Sequence, residues 1–395
     1  MKILHVLNHS FPHLDGYSVR SHNIIEYQRR MGWDPVVVTS AQHEPDVSAP
    51  IETISGTNYY RTPRLERTYP PVARELKMMS ALRRRLTTAM SEQRPTVVHT
   101  HSPCHWGIVA NAVARTMGIP SVYEIRSFWE DGIIDQGKDP RWSVKYKVTR
   151  RIENSVVNSA SAVVTISGGL KQDLIDRGHD ANRIFVVPNG VEPSNFKSVP
   201  STIQRNSDAI RLAYIGSLYP WEGVDTLIEA MPLLRQKSPG ITLEIVGDGI
   251  EYPRLVALAR KLDLDSCVNF AGRVKHDEVR EKYALADVCI YPRKSSRTTE
   301  LVTPLKPLEA LAMGKPVIAS RVGGLTELLA GTEATFFEPG SSTDLARACL
   351  QLIAARTSWS DTGIKNADIV ATKRSWSEVL GRYAEVYASV GSTPN

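Results

Sequence analysis

The sequence predicts an α/β protein of two doubly wound domains that face each other across a cleft, and three observations carry the prediction. Short apolar runs alternate with helical stretches of about a dozen residues, as in parallel sheets joined by crossover helices. Most runs end in glycine or polar residues, at the strand ends where open parallel sheets bind ligands. The pattern lapses once, in a polar stretch between Phe196 and Ile210, and then restarts. The expected domains are residues 1–196 and 197–375, followed by a helix at about 376–390.

In chain order, residues 2–8 read as the first strand, because the apolar run after Lys2 is too short for a signal peptide. Gly16 then precedes a helix from about 19 to 31, completing a strand–loop–helix opening. Residues 36–39 form a second strand. From Arg61 to Arg94 nine basic residues stand against three glutamates, a local surplus that points to an anionic partner. Within it, Leu76-Lys77-Met78-Met79 and Leu82-Arg83-Arg84-Arg85-Leu86 read as a helix mixing apolar and basic side chains. Strands follow at 97–101, 120–125, 163–166 and 184–187, with a small-residue helix at 107–117. In the second half, runs at 210–215, 242–246 and 267–270 lead into Gly216, Gly247 and Gly272, and a run at 286–291 precedes the most informative stretch.

That stretch is residues 300–329, ELVTPLKPLEALAMGKPVIASRVGGLTELL. Pro304 and Pro307 suit a first helical turn, where a missing N–H costs little. Leu308, Leu311 and Ala312 fall at the spacing of a buried face, and Gly314 stops the helix. Residues 317–319 make a strand apolar on both faces, and Gly323-Gly324 supply a turn that phosphates can approach. The helix start at Leu305 is therefore expected to attract an anion. Glu309, one turn inside, is expected to accept hydrogen bonds from hydroxyls.

These residues resemble the signature region of the family 4 glycosyltransferases, retaining enzymes of the GT-B fold with two Rossmann-like domains. The resemblance continues through YIGSLYPWEGVDTLIEA, IVGDGIEYPRLVALARKLDL, VNFAGRVKHDEVREKYALADVCIYP and VPNGV, and so covers most of the chain. The wording is most similar to bacterial members of exopolysaccharide assembly. The resemblance implies a nucleotide-sugar donor whose diphosphate lies near Gly216, Ser217, Pro304, Leu305 and Gly323. Its base would be read near Arg273 and Val274, and its ribose held by Glu309. The acceptor, a glycan or lipid-linked molecule, would meet the first domain near Gly16, Tyr17 and Glu124, and the 376–390 helix would pack back onto that domain. Front-face transfer with retention, without a metal, then needs mostly positioning and stabilisation of the leaving diphosphate.

Three positions depart from the family pattern. Leu301 stands where relatives carry a glutamate, which makes the adjacent Glu300 the candidate for its catalytic role. Ser217 and Glu222 replace an Arg/Lys pair, so Lys306, Arg293, Lys294 and Arg297 become the candidate diphosphate clamp. Arg126 stands in place of a histidine; always protonated, it would stabilise the leaving group or hold an anionic acceptor. The alternative is a salt bridge to Glu124, which shares its strand face. His101 is expected to line the cleft and His99 to be a hydrogen-bonded interior residue.

His99 and His101, and Asp263-Leu264-Asp265, have spacings that metals use elsewhere, but the reading here is of no metal and no cofactor. The four cysteines lie far apart without a C-x-x-C pair, which fits a reducing cytoplasm. No apolar segment approaches the ~18 residues of a spanning helix. Any membrane contact is thus expected to be peripheral, through the basic stretch at the inner face. No nucleic-acid recognition motif accompanies that stretch. Two rival readings remain: a nucleotide-sugar epimerase of the same fold, which needs no acceptor, and a non-catalytic sugar-nucleotide or polysaccharide-binding subunit, suggested by the missing Arg/Lys pair.

Overall fold

A computed structural model of the chain describes residues 1–13, 15–43, 49–65, 69–135, 143–196 and 209–391. The polar linker stretch at 197–208 lies outside them. The chain divides into two compact units, Met1–Asn189 with Trp376–Asn395, and Gly190–Ser375. Residues 190–196, grouped with the first domain on sequence, go with the second unit. The Val191 N–H donates to the Arg374 carbonyl at 2.9 Å, and Phe196 packs into the second unit's core beside Tyr283.

The first unit's strands are β1 (Lys2–Leu7), β2 (Asp34–Thr39), β3 (Ile51–Ile54), β4 (Thr57–Arg61), β5 (Val97–His101), β6 (Ser121–Ile125), β7 (Ala162–Thr165) and β8 (Ile184–Val186). Among the described residues they form one sheet in the order β3-β4-β2-β1-β5-β6-β7-β8. All pairs are parallel except β3 with β4. That hairpin turns at Ser55 and Gly56, both at positive φ, in a stretch whose sequence shows no clear period. Helix Gly16–Arg30 starts earlier than expected because the Asp15 carboxylate caps it, accepting the Ser18 N–H at 2.8 Å.

Helix Pro71–Gln93 buries Met78, Ala81, Leu82, Leu86, Ala89 and Met90, the face that a 3.6-residue period presents to the sheet. The apolar half of the predicted amphipathic segment is therefore used inside the unit. What remains outside is basic, with Val72 and Leu76 exposed near the helix start. The helix expected at 376–390 is two, Trp376–Leu380 and Tyr383–Ser389, interrupted around Gly381, the weakest helix former after proline.

The second unit holds β9 (Ile210–Ile215), β10 (Ile241–Val246), β11 (Val268–Gly272), β12 (Val288–Tyr291), β13 (Val317–Ser320) and β14 (Thr335–Phe337). They pair in parallel in the order β11-β10-β9-β12-β13-β14. Strand order reverses between β1 and β5 in one unit and between β9 and β12 in the other. At such points neighbouring crossovers run to opposite faces and leave a crevice at the carboxyl ends of the strands. Asn8 and Ser102 stand there in the first unit, Gly216 and Arg293 in the second. The residues at Gly323-Gly324 form no turn: they open helix Gly323–Leu328.

Candidate functional site

Two short helices follow β12, Arg297–Leu301 and Lys306–Ala312, the second with Leu305 as its cap residue and Pro307 in its first turn. This start places Glu309 only 9% exposed. The Tyr291 hydroxyl donates to the Lys306 carbonyl at 3.0 Å, which leaves the Tyr283 hydroxyl to donate to Glu309 Oε2 at 3.1 Å. Lys306 Nζ reaches the same oxygen at 3.0 Å and Oε1 at 3.3 Å. Lys306, expected on the phosphates, and Glu309, expected on the ribose, are thus an ion pair one helical turn apart. Among the described residues Glu309 Oε1 has no other donor, so the carboxylate keeps capacity for hydroxyls.

Several sequence expectations change at this point. Arg293 is buried; its Nε and Nη2 hold the Glu222 carboxylate at 3.1 and 2.8 Å, and Nη1 donates to the Val302 carbonyl. The acid that replaced the family lysine therefore neutralises the arginine expected to compensate for it. Lys294 Nζ is likewise held by Asp225 at 2.6 Å. Glu300 accepts the Gly323 N–H on Oε2 at 2.6 Å and the Ser295 hydroxyl on Oε1 at 2.7 Å. It caps helix Gly323–Leu328, so the Gly323 N–H is not free for a donor and each oxygen of the carboxylate already accepts one bond. The Gly216 N–H is also engaged, by the Val246 carbonyl at 3.0 Å. Ser217 beside it is exposed, as is Arg273 after β11, while Val274 and Pro304 are half-buried.

In the first unit the structure joins Glu124, Arg126, His101 and Tyr17 to residues that the sequence did not single out. Arg126 does pair with Glu124, Nε to Oε1 at 2.9 Å, while its Nη1 donates to the Tyr17 carbonyl at 2.6 Å. Its guanidinium carbon lies 4.2 Å from the centre of the Tyr17 ring. Arg20 Nε reaches the same Glu124 oxygen at 3.0 Å, and the Tyr383 hydroxyl donates to the other. Burial alone would raise the Glu124 pKa; Arg20 and Arg126 outweigh it and hold the carboxyl well below its usual range.

Arginine only donates, and that fixes the histidine tautomers. Arg126 Nη2 donates to His101 Nδ1 at 2.7 Å, so His101 Nε2 carries the proton and donates to His5 Nδ1 at 3.0 Å. His5 Nε2 donates in turn to Gln28 Oε1 at 2.8 Å. From the other side Gln28 Nε2 donates to the Tyr387 hydroxyl at 2.9 Å, and that hydroxyl to His99 Nδ1 at 2.8 Å. His99 Nε2 is left facing Glu124 Oε2 at 3.4 Å. Burial keeps the three rings neutral, lowering His5 to about 3 and His99 and His101 below their usual value.

His101 and Glu124 are both fully buried. The expectations that His101 lines a cleft and that Glu124 meets an acceptor are corrected by this network, in which both residues bond to other groups of the unit. Three imidazoles lie close enough to share a metal, yet two guanidiniums stand beside them and their nitrogens face protein partners. Gly16 is exposed at the start of its helix and Tyr17 is half-buried against Arg126. Arg20, Gln28, His5, Tyr383 and Tyr387 escaped the sequence reading. A signal existed: Arg20, Ile24 and Gln28 recur at the four-residue spacing of one buried helix face.

A family model described as Glycosyltransferase Family 4 matches residues 14–195, and one described as Glycosyl transferases group 1 matches residues 209–355. The chain is 28% identical over 307 residues to the gpi3 subunit of phosphatidylinositol N-acetylglucosaminyltransferase of Schizosaccharomyces pombe, a match spanning 76% of this chain and 62% of that subunit. Among solved structures, sucrose-phosphate synthase from Thermosynechococcus elongatus is similar with a TM-score of 0.82 at 19% identity, over 99% of each chain. HepE from Anabaena in complex with UDP is similar with a TM-score of 0.74 at 20% identity, over 98% of this chain and all of that one. These likenesses show the GT-B fold.

Proposed function

We propose, for a chain that joins a Family 4 and a group 1 glycosyltransferase domain on the GT-B fold, transfer of a sugar from a nucleotide-sugar donor to a glycan or lipid-linked acceptor. The setting we favour is assembly of a cell-surface polysaccharide. The observation that carries the reading is the Lys306–Glu309 pair at a helix start beyond the carboxyl end of β12. A cation there suits a diphosphate, and a carboxylate with lone pairs left beyond Lys306 and Tyr283, one turn on, suits ribose hydroxyls.

Transfer proceeds with retention and without a metal. The bond from the anomeric carbon to the diphosphate oxygen breaks, the acceptor oxygen bonds to the same face, and the acceptor proton passes to the leaving diphosphate. A double displacement would need a free carboxylate nucleophile; Glu124 is buried under two arginines and Glu300 caps a helix. The protein's contribution is then orientation and charge stabilisation of the leaving group.

Among the described residues no helix is long and apolar enough to cross a membrane. The basic outer face of Pro71–Gln93 is read as a peripheral contact with anionic lipid. The test is a thermal-shift screen of UDP-, GDP- and ADP-sugars, followed by measured release of nucleoside diphosphate. Release that requires an acceptor supports transfer; conversion of the donor sugar without release favours the epimerase, and binding without turnover favours the non-catalytic subunit.

A further inference from the structure

We propose that the first unit carries an anion-binding acceptor pocket, a cavity of about 380 Å³ lined by Asn8, His9, His13, Gln42, Arg64 and Arg74, which takes a phosphate or carboxylate group of the acceptor. The proposal rests on the glycosyltransferase reading above and adds to it the chemical class of the acceptor. The cavity lies at strand ends: Asn8 and His9 follow β1, and Gln42 follows β2. Such ends are where doubly wound sheets hold ligands.

Apart from Ala41 every lining side chain is an amide, imidazole or guanidinium, and among the described residues no carboxylate belongs to it. Asp15, which stands beside His9 and His13, is already engaged. Its Oδ1 accepts the Ser18 N–H at 2.8 Å and its Oδ2 the His9 Nε2–H at 2.8 Å. Burial would raise its pKa, but these bonds hold it at about 2. His9 is a fixed wall, because its Nδ1 also accepts from the Asn8 amide at 3.0 Å. The Asn8 amide is oriented in turn by Trp106, whose Nε1 donates to Asn8 Oδ1 at 2.8 Å.

Arg64 and Arg74 differ from the buried arginines of this unit. Arg20, Arg61, Arg126 and Arg177 are each buried against a carboxylate. The side chains of Arg64 and Arg74 have no hydrogen-bond or ion-pair partner among the described residues, and Arg74 Nε is buried without an acceptor. A buried guanidinium N–H left unpaired is costly, and an oxyanion ligand relieves that cost with a charge-assisted bond. Glu75, adjacent to Arg74, is turned instead towards His105 Nδ1 at 3.4 Å. The same two cations exclude the opposite reading: His9, His13 and Asp15 lie close enough to share a metal ion, but two guanidiniums on the cavity wall repel one. Both arginines come from the basic stretch between Arg61 and Arg94, so part of that surplus has a local use.

The experiment titrates inorganic phosphate, glucuronate and glycerol into the full chain and reads the His9 and His13 side chains by long-range proton–nitrogen NMR. Phosphate or glucuronate should shift these signals, and the tighter of the two identifies the acceptor's group, whereas glycerol should leave them unmoved. Arg74→Gln should weaken the anion about tenfold or more, and Arg64→Gln with Arg74→Gln should abolish the response, with nucleoside diphosphate affinity unchanged. Signals indifferent to both anions, or a double variant that titrates like the native chain, would overturn the inference. Failure of the native chain to bind any nucleoside diphosphate would instead count against the glycosyltransferase reading, since the NMR response does not depend on it.

Discussion

Arg20 and Arg126 share one oxygen of Glu124, their Nε atoms standing 3.0 and 2.9 Å from it inside the first unit. Removing that charge leaves two buried guanidiniums without a counter-ion. Glu124→Gln should therefore destabilise the protein by about 3–5 kcal/mol, the usual cost of breaking a buried ion pair from one side. Urea denaturation measures it; a loss below about 1 kcal/mol would mean that the arginines find other partners. The sign with pH follows from the direction of the shift. The folded pKa lies well below the ordinary 4.5, so this stabilisation is present above about pH 4.5 and is lost as pH falls through the folded value.

Glu153 predicts the opposite slope. It is fully buried, accepts the Tyr123 hydroxyl at 2.7 Å, and has its pKa raised to about 8, first by burial and then by Glu130. The neutral form is favoured on folding, so its contribution is fully present below about pH 4.5 and is lost as pH rises towards 8. Stability of the native chain minus that of Glu153→Gln should fall by up to about 1.4 kcal/mol per pH unit across that window. Parallel stability curves for the two proteins would refute the shift.

In the second unit Lys306→Ala should weaken a nucleoside diphosphate much more than the matching nucleoside, because the lysine addresses phosphate. Glu309→Gln should reduce catalytic efficiency by about one to two orders of magnitude, as loss of a charge-assisted hydrogen bond implies. The two residues are in contact, 3.0 Å apart, so the double variant should lose less than the two single losses combined. Calorimetry and steady-state kinetics separate the effects; equal weakening of nucleoside and diphosphate by Lys306→Ala would move the clamp elsewhere.

Vesicle binding tests the outer face of helix Pro71–Gln93. Arg83 and Arg84 are exposed and Arg85 half-buried, and each basic residue beside an anionic surface contributes on the order of 1 kcal/mol. Replacing Arg83 and Arg84 by glutamine should weaken cosedimentation with anionic vesicles by more than tenfold at low salt. Native binding should itself decline as salt rises. Binding that ignores lipid charge would assign the patch to solubility.

The sheets were legible because a parallel strand covered by helices on both faces must be an apolar run, as at Val317–Ser320. Glu309 was legible for a similar reason, since Pro307 and the Leu308–Leu311 spacing fix which turn of the helix it occupies. The pairings were not. Arg20 meets Glu124 across 104 positions, and nothing local in either residue's neighbours announces the other. Gly323-Gly324 misled because a glycine pair suits a turn or a tightly packed helix start alike. The carboxylate that decided for the helix start, Glu300, belongs to another helix.

The first unit is completed by residues encoded far downstream of its sheet: the hydroxyl that serves Glu124 lies 259 positions later, and the one that serves His99 lies 288 positions later. During synthesis the eight strands emerge long before Tyr383 and Tyr387, and the whole of Gly190–Ser375 is made in between. At ~5–20 residues per second that interval is on the order of 10–40 s. Throughout it Glu124, Arg20 and His99 lack the hydroxyls of Tyr383 and Tyr387 that complete their hydrogen bonds. Emergence of Tyr383 and Tyr387, and not of the first half, is therefore the moment at which this unit can first become native, and a ribosome stalled before residue 383 would display a sheet with an open polar seam.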